Sequence, residues 1–152
     1  MKKTMTIEQL NKRYQQSKLA AYAVIALALV MITMLIWPYN IITWEDEYFP
    51  VLNKKVIAGD PVVYEVAYCK NSDLSAKLSK SLVNDNIYLY SAVDSNAECG
   101  CHVVNATLET PSYAEPGLYH VKIVYEYSPN LLRKITYTKE SEVFEIVKNE
   151  DR

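Results

Sequence analysis

Glycine is scarce: the 152-residue chain has three, alongside six prolines, three cysteines and two histidines. So few glycines leave little material for a loop that cradles a phosphate or cofactor, and no glycine-rich phosphate motif, nucleophile elbow or H-E-x-x-H helix is present. The same composition excludes collagen-like and low-complexity classes. Spaced carboxylate pairs for acid–base work are lacking, and neither His102 nor His120 has a serine or cysteine nucleophile beside it in a recognisable motif, so each reads as a surface strand residue. No enzyme and no cofactor are expected. Positive charge is not in excess either: 16 Lys and Arg stand against 18 Asp and Glu, and the pI is near 5.7. Without a basic face the chain has no electrostatic footprint for nucleic acid.

What the sequence does have is a long run without charge. Residues 19–37, LAAYAVIALALVMITMLIW, form an apolar stretch that only Tyr22 and Thr33 interrupt. As a helix rising about 1.5 Å per residue, it crosses a hydrocarbon core of roughly 30 Å, and it lacks the polar face of a helix buried in a soluble core. Trp37, Tyr39 and Trp44 cluster at its C-terminal end as a membrane-interface belt, and Pro38 stops the helix there. Lys2, Lys3, Lys12, Arg13 and Lys18 precede the span, whereas Glu45, Asp46 and Glu47 follow it. That asymmetry keeps the N-terminus in the cytoplasm. The stretch is long and no A-x-A-like site follows, which favours an uncleaved signal anchor over a cleavable signal peptide. The expected organisation is a cytoplasmic tail (1–18), a transmembrane helix (19–37), a juxtamembrane linker (38–48) and an exported domain (49–148). In the tail, Ile7, Leu10 and Tyr14 are spaced for a turn or two of amphipathic helix, but a solvated tail is the preferred reading.

Beyond the linker the apolar period changes to two. Val62, Tyr64, Val66 and Tyr68 alternate in VVYEVAYCK, after the turn signal AGDP, and Tyr119, Val121, Ile123, Tyr125 and Tyr127 alternate in YHVKIVYEY. Further strands are predicted at 49–57, 87–93, 101–108 and 133–138, the last running on to 142–147, with 71–86 as a connecting loop. Thirteen tyrosines suit extended, half-buried strands. Six or seven short strands separated by regular turn signals predict an all-β immunoglobulin-like sandwich, with a small barrel as the alternative.

The segments AGDPVVYEVAYCK, GCH, PGLYHVKIVYEY and NLLRKITYTKESEVFEIV resemble the immunoglobulin-like domains of small membrane-anchored proteins of tailed bacteriophages, over residues 56–147. The resemblance implies a phage or bacterial setting, with the periplasm as the exported side. It brings no active site.

That setting bears on CGCH at 99–102, because disulfides persist in an oxidising compartment. In an immunoglobulin-like sandwich the end of 62–70 lies beside the start of 101–108, which puts Cys69 next to Cys101 and leaves Cys99 spare. A Cys69–Cys99 link and three reduced thiols stay open as alternatives. A metal held by Cys69, Cys99, Cys101 and His102 has the ligand number but not the geometry, since Cys101 and His102 point to opposite faces of a strand. Glu45, Asp46 and Glu47 cannot converge on one cation from an extended segment. Asn105-Ala106-Thr107 matches a glycosylation pattern that falls within a strand of a bacterial protein, and Arg133 is placed to steady the last hairpin against a carboxylate.

The leading expectation is a single-pass protein of the host inner membrane, anchored in the bilayer through residues 19–37. Its domain binds another protein in the periplasm or at the membrane and does no catalysis. The alternative is a structural subunit, homo-oligomeric or part of a larger assembly, held through its transmembrane helix, where Ala20, Ala21, Ala23 and Ala28 let helices approach. A redox or metal role for Cys99, Cys101 and His102 is the third reading.

Overall fold

The computed structural model describes residues 6–36 and 39–148, which fall into two units, Met1–Pro38 and Tyr39–Arg152. The first holds one helix, α1, Ile7–Ile36. Thr6-x-x-Gln9 opens it as a capping box, the Gln9 side-chain oxygen accepting from the Thr6 N–H at 3.3 Å, and Glu8 in the first turn suits the positive end of the helix dipole. Residues 7–18, expected as a tail, are therefore helical. They contain no glycine or proline, and extending an existing helix needs no second nucleation. The 30 residues measure about 45 Å, long enough for a hydrocarbon core together with its headgroup layers. Mean hydropathy over the apolar window is 2.7, and no residue of the helix is buried.

The second unit is built of strands: β1 (Ile42–Trp44), β2 (Lys55–Ile57), β3 (Pro61–Lys70), β4 (Ala76–Val83), β5 (Ile87–Leu89), β6 (Val93–Ser95), β7 (Gly100–Glu109), β8 (Gly117–Asn130), β9 (Arg133–Glu140) and β10 (Phe144–Val147). One sheet has the order β1-β3-β7. In the other, β4 pairs with β8 on one side and with β5 and β6 on the other, while β8 also pairs with β10 and β9, and β2 joins β10 in parallel.

The alternation read from the sequence sets what faces inward. Val62, Tyr64, Val66 and Tyr68 of β3 are buried, as are Tyr119, Val121, Ile123, Tyr125 and Tyr127 of β8, and the residues between them are more exposed. Both sets belong to one apolar cluster, so the two sheets share a core. Aromatic contacts cross from sheet to sheet, with ring centroids 5.8 Å apart for Trp44 and Tyr125 and 6.1 Å for Tyr68 and Tyr125. The AGDP turn forms as expected. Gly59 takes φ 100°, open only to glycine at low cost, and Thr110 locks the turn by accepting from the Gly59 N–H and donating to the Asp60 carbonyl.

Five boundaries differ from expectation, and the first is 87–93, expected as one strand, which divides into β5 and β6 with residues 90–92 between them. The stretch 71–86, read as a loop, contains β4, a central strand of the larger sheet. The linker 38–48 contains β1, and Ile42 at its start and Ile41 just before it are buried in the core. Of 49–57 only β2 is a strand, with single bridges at Phe49 and Val51. The run 133–147 breaks at Ser141, whose hydroxyl accepts from the Val121 N–H and so separates β9 from β10.

Candidate functional site

CGCH enters β7 at its open end. Gly100, at φ 130°, lets the chain turn into the strand. The β3–β7 register then sets Cys69 opposite Cys101 and Tyr68 opposite His102. The two sulfurs are joined in a disulfide across 32 residues of sequence, with Cys101 exposed on the outer face. On the neighbouring rung His102 lies 5.4 Å from the Tyr68 ring, and its Nε2–H donates to the Glu98 carbonyl at 2.9 Å.

Cys99 is free and exposed. Its thiol donates to the Asp73 carboxylate at 3.0 Å, and that hydrogen bond, with the negative charge behind it, pushes the thiol pKa up. A thiol held protonated is a poor nucleophile and a poor metal ligand. Lys70, buried at the end of β3, gives its ammonium to the Ala97 carbonyl and ties the same loop down. Cys69, Cys101, Cys99 and His102 are thus divided: two sulfurs in a covalent bond, one thiol on a carboxylate, one imidazole on the backbone. Among the described residues no group of three or more His, Cys, Asp or Glu is arranged to hold a metal. What this end of the fold does chemically is staple two strands.

The residues assigned to a membrane interface divide as well. Trp37 lies outside the described residues. Trp44 packs on Tyr68 and Tyr125, with the Lys139 ammonium 5.7 Å above its ring. The Tyr39 carbonyl accepts from the Tyr137 hydroxyl at 2.8 Å, and its ring lies 5.7 Å from the Arg133 guanidinium. These contacts of Tyr39 and Trp44 are made within the β unit. His120 and Lys122 approach Glu140 at 3.9 and 3.4 Å across the β8–β9 rungs.

A second feature was not read from the sequence. Between the sheets, where β7 faces β4 and β6, lies a cavity of about 180 Å³ lined by Tyr64, Val66, Leu78, Lys80, Val104 and Tyr125, among others. Val104 sits on the inner face opposite Val66, yet it is 43% exposed where Val66 is 4%, because the space beside it is unfilled. Lys80 occupies an inward position of β4, in step with Ala76, Leu78 and Leu82. A cation in the apolar phase of a strand was the available signal, but it made the segment read as polar loop.

No protein family and no curated protein matches the sequence. Among solved structures, an alkylpurine DNA glycosylase from Pseudomonas fluorescens bound to DNA containing an abasic-site analogue is 11% identical, with a TM-score of 0.41 over 72% of this chain and 31% of that one. A CARDB domain from Pyrococcus furiosus in complex with di-metal ions is 14% identical, with a TM-score of 0.40 over 72% of this chain and 91% of that one. A β-glucosidase from Listeria innocua in complex with laminaribiose is 15% identical, with a TM-score of 0.36 over 66% and 15%. The chain thus spans under a third of the glycosylase and less still of the glucosidase.

Proposed function

We propose that the chain is a single-pass membrane protein that holds an immunoglobulin-like sandwich on the periplasmic side of a bacterial inner membrane. There it binds a protein partner without catalysis, as a phage-encoded module acting at the host envelope. The observation that carries this reading is α1: a 30-residue helix, apolar from residue 19 to 36 and with no buried residue, attached to a β unit that has its own core. An apolar surface of that size needs lipid or other helices around it. Lys12, Arg13 and Lys18 before the apolar run and Glu45, Asp46 and Glu47 after it support a cytoplasmic N-terminus, and the disulfide suits an oxidising compartment. For recognition the β unit offers β7, which among the described strands pairs on one side only, so its other edge can add a partner strand.

Two measurements test the reading. A reporter active only in the periplasm, fused after Arg152, should be active, and activity of a cytoplasm-specific reporter instead would reverse the orientation. Photocrosslinkers at the outward-facing Val103 and Asn105 of β7 should capture a discrete envelope protein in infected cells. A self-crosslinked species that persists when β7 is altered, and is lost when Ala21 and Ala28 of the helix become Leu, would favour helix-driven assembly.

A further inference from the structure

The cavity between β3, β7 and β4 is not filled by the protein around it. At about 180 Å³ it exceeds the roughly 150 Å³ of an engineered apolar cavity that takes up benzene. Its walls are chiefly apolar: Val66, Leu78, Val104, Ala106 and Ile123, with the Tyr64, Tyr68 and Tyr125 rings. Two features set it apart from a packing defect. The Tyr64 side chain is completely buried, and its hydroxyl has no hydrogen-bond partner among the described residues. The Lys80 ammonium stands 5.7 Å from the Tyr64 ring centroid, half-buried, with no carboxylate at ion-pair distance among the described residues. Desolvation holds its pKa down, as expected of a cation set in an apolar wall without a counter-ion.

A residue whose hydroxyl lacks a partner and a cation that lacks an anion both line one ring-sized apolar space. We infer that this cavity is a binding site for a small aromatic carboxylate, its ring among Val66, Val104 and Ile123 and its carboxylate accepting from the Lys80 ammonium. The anion gives the Lys80 ammonium its counter-charge, and the ring replaces lost dispersion contacts on the inner face of β7. The site stands apart from the membrane reading, because it lies wholly within the β unit.

The test uses the full chain in lipid nanodiscs, titrated with 4-fluorobenzoate and followed by the fluorine resonance, with empty nanodiscs as the reference. Saturable binding is expected. Lys80→Gln should weaken it at least tenfold, and Ala106→Leu, which fills the cavity from the edge strand, should abolish it. Lys80→Arg should retain it, and all variants should keep the far-ultraviolet spectrum of the parent. The neutral 4-fluorobenzamide should bind at least tenfold more weakly. No saturable binding above empty nanodiscs, or binding indifferent to both Lys80→Gln and Ala106→Leu, overturns the assignment. Equal affinity for the amide overturns the anion's part in it. Laurate binding with the same variant pattern, where 4-fluorobenzoate fails, would reassign the cavity to lipid.

Discussion

Cys69, Cys101, Cys99 and Asp73 lie within one corner of the β unit and differ in chemistry because of what each sulfur touches. The Cys69–Cys101 bond closes a loop of 32 residues, for which the chain-entropy account gives roughly 3–4 kcal/mol of stabilisation through the unfolded state. Cys101→Ser is therefore expected to lower the unfolding free energy by that amount, and the denaturant midpoint with it, and to expose a second thiol to alkylation. Cys99→Ser should leave the midpoint where it is. Urea unfolding with a thiol count on each variant checks both, and an unmoved midpoint in Cys101→Ser would refute the staple. The Cys99 thiol owes its raised pKa first to the Asp73 hydrogen bond. Asp73→Asn removes the charged acceptor, so the thiolate fraction at pH 8 rises and iodoacetamide should react faster at Cys99 than in the parent, whereas an equal rate would mean that Asp73 does not hold the proton.

At the scale of elements, legibility followed the purity of the pattern. β3 and β8 were readable because Val62 to Tyr68 and Tyr119 to Tyr127 carry an apolar or aromatic side chain at each inward position, and the Cys69–Cys101 pairing followed from setting β3 beside β7. β4 was not, because Lys80 interrupts the inward series Ala76, Leu78, Leu82 and because Ser79 and Ser81 have little intrinsic preference for strands. Pairing with β8 on one side and β5 and β6 on the other overrides that weak local signal. The residue that hid the strand is the one that gives the cavity its charge, as expected where a local rule is broken at a site. β1 escaped notice for another reason. Its aromatic and acidic neighbours read as a membrane flank, but Ile41 and Ile42 are buried and Ile42 pairs with Lys70. Each such side chain contributes about 1.5–3 kcal/mol by burial. A fragment of residues 39–148 should therefore unfold at a distinctly higher temperature than one of residues 49–148, and equal melting by circular dichroism would show that β1 adds nothing to the fold.

At the scale of the whole molecule, the shared core is unusual in how many phenols it holds. Tyr64, Tyr119 and Tyr127 are each at most 1% exposed, and burial pushes their pKa up to about 12, with Tyr125 also raised by burial. A raised phenol pKa means that the folded state holds its proton where the unfolded chain, near 10, releases it. The stability this represents is fully present below pH 10 and is lost as pH rises from 10 towards 12. Three such groups remove about 4 kcal/mol per pH unit across that window, against a total stability of about 5–15 kcal/mol for a domain. Unfolding should therefore precede ionisation of these phenols in place. In an alkaline titration, their absorbance near 295 nm should appear in one cooperative step that coincides with loss of the β signal in circular dichroism. A smooth rise of the whole tyrosine signal with the β signal intact would mean that the core admits phenolates. The disulfide gives this prediction a second arm. With roughly 3–4 kcal/mol removed in Cys101→Ser and a slope of about 4 kcal/mol per pH unit, the same step should move about one pH unit lower. A step that stays in place would separate the staple at the CGCH end from the cooperative unit that the tyrosines report.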